Sequence, residues 1–315
     1  MDRDILSLLE RRLGRLHARQ RLGIESELEA KAFGHGLNFF HIENWYSVHS
    51  LIRATLKASG LFRLGQRNAE NIVVRENTVS FPDLPPAFDG FTILQLTDLH
   101  VELSTRALAR AAKLASQARY DVVVLTGDFR AATYGAYEPT LEGLARLRPH
   151  LGGPVYGVLG NHDTIRMVPG LEAMGIRMLL NESEAISRGD QVIHLAGIDD
   201  AHYYCVDNMQ KAGEEIPHDG FAILLSHTPE IYRQAAHAGF RLMLSGHTHG
   251  GQICLPGGIP VTLDSHLPRR FGAGAWQHHG MAGYTSVGTG SCIVPVRFNC
   301  PPEIVLHRLL RQTAG

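Results

Sequence analysis

The stretch FTILQLTDLH, from Phe91 to His100, decides how this chain folds. Its apolar run stops at a polar tail, TDLH (Thr97 to His100). A run of about four to six such residues closed by a polar residue or Gly predicts a strand buried on both faces. The same device recurs four times. DVVVL leads into TGDFR (Thr126 to Arg130), PVYGVL into LGNHD (Leu159 to Asp163), FAILL into LLSHTP (Leu224 to Pro229), and RLML into SGHTHGGQ (Ser245 to Gln252). Open α/β sheets place their ligand sites at the carboxyl ends of strands. Five tips rich in Asp, His and Asn therefore predict one site, able to hold two metal ions.

The donor set narrows the metal. Asp98, His100, Asp128, Asn161, His227, His247 and His249 offer oxygen or imidazole, and no thiolate is expected near them. Such borderline-hard donors suit Mn, Fe or Zn, whereas soft-metal and iron–sulfur sites want Cys. Seven groups exceed one tetrahedral zinc. They suit two ions about 3.5–4 Å apart with a carboxylate between them. In GHTH both His reach one site only if the backbone leaves strand geometry. Gly246, Gly250 and Gly251 permit that. Taken singly, DLH reads as a loop, GD as a turn and His227 as a core histidine. GNHD and GHTHGG have no such reading, because two His between glycines pack nothing.

In this order the motifs resemble the calcineurin-like metallophosphoesterases, whose pattern is D-x-H, G-D, G-N-H-[DE], a lone His and G-H-x-H. The resemblance covers roughly residues 90 to 308. It implies an α/β fold, a four-layer α-β-β-α sandwich of two mixed sheets with the metals at strand ends. It further implies that Asp98, His100, Asp128 and His249 hold one divalent ion. Asp128, Asn161, His227 and His247 would hold the other, with Asp128 bridging and manganese the expected metal. His162 matches the position beside the substrate phosphate that is not a ligand. As an imidazolium it would stabilise developing charge or protonate the leaving oxygen. Asp163 is expected to be a turn or supporting residue. Arg130 and Arg166, a few residues past two motifs, are candidate phosphate contacts, weighed against exposed loop arginines.

One departure narrows the substrate. Protein Ser/Thr phosphatases of this family extend the second motif to G-D-x-x-D-R-G, and Ala131 stands where that later Asp would be. A protein substrate is therefore not expected. The segment GTGSCIVPVRFNCPPEI (Gly288 to Ile304) resembles the ending of a bacterial, membrane-associated branch. That branch includes phosphodiesterase-like enzymes and UDP-2,3-diacylglucosamine pyrophosphatases of lipid A biosynthesis. Within this segment, Arg297 is expected to be a buried pairing partner.

Composition agrees with a hydrolase built on one large core. The chain has 315 residues, 44% of them hydrophobic, and a net charge of −1. Neutral charge and the lack of a basic stripe with interleaved aromatics give no reason to expect nucleic acid. The four Cys (Cys205, Cys254, Cys292, Cys300) show no C-x-x-C spacing and suit a reducing compartment. With no apolar run of about 18 residues and no secretory h-region, the expected address is cytoplasmic.

Residues 1–89 read as a helical N-terminal extension with a short hairpin, and 90–315 as the catalytic domain. Asp4 is expected to cap a helix with an apolar stripe (Ile5, Leu6, Leu8, Leu9, Leu13, Leu16) and a basic face including Arg11, Arg12 and Arg15. Ser50 to Gln66 repeats the pattern, preceded by Trp45 and Tyr46. Such helices either lie in a membrane interface, here its cytoplasmic face, or pack on the catalytic part or on a second subunit. Asn71 to Phe81 reads as two strands turning at Glu76-Asn77, and Pro82 to Pro86 as a break. Helices are expected over Thr105 to Arg119 and Leu141 to Leu147. Loops from Asp199 to His218 and from Pro256 to His279 should rim the cleft, their His202, His266, His278 and His279 reading as surface residues, with substrate contact the alternative.

The resulting expectation is a dinuclear hydrolase of phosphodiester or pyrophosphate bonds, with a lipid-linked nucleotide such as UDP-2,3-diacylglucosamine leading. The alternatives are a broad phosphodiesterase of small soluble diesters and, from another class, a non-catalytic binding scaffold. A scaffold would have lost ligands, and all eight motif positions are present.

Overall fold

The computed structural model describes residues 3–33, 50–263 and 265–312, so Trp45 and Tyr46 lie outside the described residues. All five apolar runs form strands, and no residue within those five strands is exposed. They are β2 (Thr92–Leu96), β3 (Val122–Thr126), β4 (Val155–Val158), β8 (Ala222–Leu225) and β9 (Leu242–Ser245). They belong to two six-stranded sheets. The first runs β1 (Val73–Phe81), β14 (Glu303–Arg311), β2, β3, β4, β5 (Ile176–Met178). In it β2 to β5 are parallel and β14 is antiparallel to β2. The second runs β12 (Gly274–His278), β13 (Met281–Thr285), β9, β8, β7 (Gln191–Gly197), β6 (Glu182–Arg188). There β7, β8, β9 and β13 are parallel, flanked by antiparallel edges.

Side-chain alternation along the strands makes the layers. On β3, Val122 and Val124 join a core with Ile223 and Leu244 of the second sheet, while Val123 and Leu125 join an outer core with Ala111 and Leu144. Those two residues come from α5 (Thr105–Gln117) and α6 (Glu138–Leu147). Leu224 and Met243 face a third core with Ala212 of α8 (Met209–Gly213) and Ala235 of α9 (Tyr232–His237). The result is the expected α-β-β-α order. One polar residue inside an apolar run, Gln95, ties the sheets together. Its amide donates to Thr126 Oγ1 at 2.9 Å and to the Ser245 carbonyl at 3.0 Å.

The N-terminal segments differ from expectation in three ways. Asp4 lies inside the first turn of α1 (Arg3–Leu13) rather than at its cap. Residues 50–66 break into two helices, α3 (50–58) and α4 (Phe62–Glu70), about a left-handed Gly60. Asn71 to Phe81 is no hairpin: β1 is one strand that pairs in parallel with the whole of β14, Val73 opposite Glu303 and Phe81 opposite Arg311. Nine cross-strand partners outweigh a turn signal at Glu76-Asn77 that lacks a glycine.

α1 packs on the first sheet's outer core through Leu9 and Leu13, and its Arg12 pairs with Glu172 and Glu182. So Leu9 and Leu13 of the first amphipathic stripe, with Ile5 and Leu6 partly buried against the same core, and Arg12 of the basic face are used within the fold, while Leu8 and Leu16 stay exposed. α2 (Arg15–Phe33) reaches further. Its fully buried Arg21 donates to the Asp163 carbonyl at 2.9 Å and stacks 3.4 Å over the Tyr204 ring. Glu25, one turn on, accepts from Thr164 Oγ1 at 2.6 Å, the Ile165 amide at 2.8 Å and Arg166 Nη1 at 3.2 Å. The loop carrying GNHD is therefore held from behind. Removing one partner of such a buried network leaves charges uncompensated. Glu25→Ala should lower unfolding free energy by about 3 kcal/mol or more, against under about 0.5 for the exposed Glu27→Ala. Urea denaturation of both variants checks this.

Candidate metal centre

Backbone strain concentrates where the donors stand. Asp98, His100, Asp128, His247 and His249 all have positive φ, between 40° and 72°. Residues with a Cβ seldom adopt this region, and each instance costs on the order of 1–3 kcal/mol. The turns fold five side chains back over the strand ends. Both His of GHTH reach the site by this departure from strand geometry. Tight glycines make room: a Cβ on Gly160 would sit 2.2 Å from Asp128 Oδ1, and one on Gly246 2.3 Å from Asp98 Oδ2.

All seven candidate donors are brought together. His100 Nε2 and His249 Nε2 lie 3.1 Å apart, and His249 Nε2 is 3.3 Å from Asp98 Oδ1. His100 Nε2 is 3.9 Å from Asp128 Oδ2. Next to this group, His227 Nε2 is 3.3 Å from the same Asp128 oxygen and 3.0 Å from Asn161 Oδ1. His247 Nδ1 is 2.9 Å from Asn161 Oδ1. With bonds of about 2.1 Å, neighbouring ligands of one ion stand roughly 3.0 Å apart in an octahedron and 3.4 Å in a tetrahedron. Apart from the 3.9 Å between His100 and Asp128, these spacings match those of neighbouring ligands on a metal ion. The distal nitrogens support this: His227 Nδ1 donates to the Thr126 carbonyl at 2.8 Å and His100 Nδ1 to the Arg130 carbonyl at 2.5 Å, freeing each Nε2 to coordinate.

The electrostatics ask for cations. Burial holds His100 down at about 4, and it depresses His247 and His249 well below the ordinary range. These rings are neutral, the form that binds metal. Burial raises Asp98 to about 6, with Asp128 adding and His227 opposing. Burial also works to lower His227, but the charge and hydrogen bond of Asp128 outweigh it and raise the ring to about 10.

His162 stands beside the donors. Its amide donates to Asp128 Oδ1 at 2.9 Å, its Nε2 is 3.9 Å from Asp128 Oδ2, and its Nδ1 is 2.9 Å from Thr133 Oγ1. Asp163 is fully buried and accepts from the amides of Phe129, Arg130 and Gly160, so it joins two motif loops. Burial and the Asp128 charge raise it to about 7 against those amide bonds.

The two candidate arginines stand away from the lining of the cleft over the donors. Arg130 is 2% exposed and spends its guanidinium on the Thr133 and Gly135 carbonyls of its own loop. Arg166 pairs with Glu25. Both line a hollow with Tyr134 and Tyr204, whereas the cleft over the donors, about 480 Å³, contains neither. Arg297 is buried as expected, but on carbonyls rather than a carboxylate: Gly290 at 2.6 Å and Val287 at 2.7 Å, with His249 Nδ1 at 3.3 Å. It steadies the Gly288–Gly290 turn, whose amides pair with the Thr97 and Asp98 carbonyls. His202 is no plain surface residue, because it bonds Glu230 at 2.8 Å and packs on His247.

The sequence reading missed two residues. Thr133 holds the ring of His162, two positions past Ala131, and no motif marks it. Cys292 brings a thiol to His100 and His249, with ligand atoms within 4.8 Å of one another, against the expected absence of thiolate. Its separation of 43 positions from His249 gave no spacing signal.

A family model described as calcineurin-like phosphoesterase matches residues 91–251. The chain is 30% identical over 254 residues to an uncharacterized metallophosphoesterase of Bacillus subtilis, YkoQ, covering 77% of this chain and 92% of that protein. It is 30% identical over 274 residues to a Danio rerio transmembrane protein with metallophosphoesterase domain, 81% of this chain but 60% of that longer one. Escherichia coli phosphodiesterase YaeI is 26% identical over 236 residues, 70% of this chain and 82% of its own. This chain belongs to the calcineurin-like phosphoesterase family and is a metal-dependent phosphoesterase.

Two outcomes check the site. At pH 7.5 the metal-free His227 carries a proton, since its pKa is raised above that pH, and metal must displace it. Calorimetric titration in buffers of different ionisation enthalpy should therefore show about one proton released on loading. Gly160→Ala, whose methyl would overlap Asp128, should lose most bound metal by elemental analysis, whereas Gly213→Ala, in open space, should keep it.

Proposed function

We propose that this chain hydrolyses phosphodiester or pyrophosphate bonds at a dinuclear centre, with a nucleotide–lipid pyrophosphate such as UDP-2,3-diacylglucosamine as its leading substrate. Asp98, His100, Asp128 and His249 would hold one divalent ion, and Asp128, Asn161, His227 and His247 the other, manganese, iron or zinc fitting these donors. When bound, the ions supply Lewis acidity and neutralise phosphate charge. His162 keeps a proton at Nε2 for the leaving oxygen, and the Thr133 hydroxyl sets the angle of its ring. The eight motif side chains gathered at one cleft argue against a non-catalytic scaffold.

The observation that carries the substrate is the wall of the cleft. Above Asp128, Asn161 and His162 it is lined by Leu51, Ile52 and Leu56 of α3 together with Ile253, Val261, Ile293 and Val294. In this reading residues 1–89 are an extension that roofs the catalytic part. Leu51 and Val261 of this lining are exposed, as are Leu255 and Ile259, which suits acyl chains and peripheral contact with the cytoplasmic membrane face. Among the described residues no helix is long and apolar enough to cross a membrane. The name of the Escherichia coli relative favours a second reading, a phosphodiesterase of small soluble diesters.

Hydrolysis of UDP-diacylglucosamine, a bis-aryl phosphodiester and an aryl monoester with added Mn separates these readings. The lipid nucleotide should turn over fastest. A bis-aryl diester ahead of it favours the second reading, and a monoester ahead of both would overturn the assignment. His162→Ala should cut kcat by about 10²–10⁴ with metal content unchanged. Metal lost together with activity would show that the ring has another role.

A further inference from the structure

We infer that Cys292 supplies a thiolate ligand to the half of the centre formed by Asp98, His100, Asp128 and His249. The inference rests on the two-metal reading above. His100 and His249 have ring planes 17° apart and bring their Nε2 atoms to 3.1 Å, a spacing that two ligands of one ion keep. The sulfur of Cys292 belongs to the same cluster, within 4.8 Å of the ligand atoms of both rings. With a metal–sulfur bond of about 2.3 Å and metal–nitrogen bonds of about 2.0–2.1 Å, sulfur and nitrogen stand roughly 3.1–3.8 Å apart in a five-coordinate site that already holds the four residues of this half.

The backbone that presents this thiol is anchored on both sides. The Cys292 amide donates to Gln252 Oε1 at 2.7 Å, and Gln252 Nε2 donates to the Val294 carbonyl at 2.8 Å. Gln252 directly follows the glycines of the GHTHGG turn and itself has a φ of 55°. From the opposite wall, Arg53 donates to the Ile293 carbonyl at 2.9 Å. The remaining thiols have other settings. Cys254 and Cys300 are buried and donate to the carbonyls of Gly250 and His249, and Cys205 is exposed.

On coordination the thiol gives its proton to solvent as the sulfur–metal bond forms. A sulfur donor biases this half toward zinc or iron(II) over manganese, leaving the half built on Asn161 with oxygen and imidazole only. The two ions would then differ in softness.

The test is the full chain loaded with cobalt(II) and read by absorbance and elemental analysis. Wild type should show a near-ultraviolet sulfur-to-cobalt charge-transfer band with about two ions per chain. Cys292→Ser and Cys292→Ala should lose the band yet keep their cobalt, and Cys205→Ser should keep both. Zinc affinity at one site should fall by about tenfold or more in Cys292→Ser. A band that survives both substitutions, or cobalt bound without a band in wild type, overturns the thiolate while leaving the two-metal reading intact. Failure to bind cobalt overturns both.

Discussion

The structure around the site is organised by one buried carboxylate. Asp128 is 2% exposed, has a left-handed backbone and stands at the end of the central strand β3. A carboxylate this deep is tolerable only when its oxygens are met by donors or cations. One oxygen takes the amide of His162, and the other faces His227 and, further off, His100. Gly127 and Gly160 are bare of side chains so that the loops after β3 and β4 can close on it: a Cβ on Gly127 would lie 2.7 Å from the Gly160 nitrogen. Strand order, glycine placement and the strained turns all serve that charge.

The chain spends stability to build this. Five donors in a sparsely populated backbone region, together with neutral histidines packed against each other, are unfavourable arrangements that the rest of the fold must outweigh. The supporting bonds are correspondingly dense. Asp163 ties the second and third motif loops, Gln95 ties the two sheets, and Arg297 gathers the Gly288–Gly290 turn against the first motif. Each is a polar group buried with its partners satisfied, which confers rigidity rather than net stability.

The fold was legible because buried parallel strands announce themselves as unbroken apolar runs, and the donors follow those runs directly. The alternation at Glu76-Asn77 was not decodable locally, because what makes β1 a single strand is a partner over 220 positions away, as in the Arg75–Glu303 pair. Arg130 and Arg166 looked like phosphate contacts because they follow motifs in sequence. In the fold they bond a loop's own carbonyls and a glutamate near the N-terminus. Thr133 and Cys292 were invisible for the converse reason: they meet the centre through loops whose course no spacing rule describes.

The pairing of β1 with β14 also has a consequence for the order in which the molecule can be made. Val73 to Phe81 leave the ribosome long before Glu303 to Arg311, the segment that both covers β1 and separates it from β2. From the end of the last motif at Gln252 to Glu303, synthesis at about 5–20 residues per second takes roughly 2.5–10 s. Over that interval the edge of β2 lacks its neighbour while the motif strands beside it are already available. An unpaired strand edge next to assembled strands is a template for pairing with other chains. The nascent protein is therefore most exposed to aggregation after the last metal-site motif has been translated and before the closing strand arrives, a window in which chaperone protection counts most.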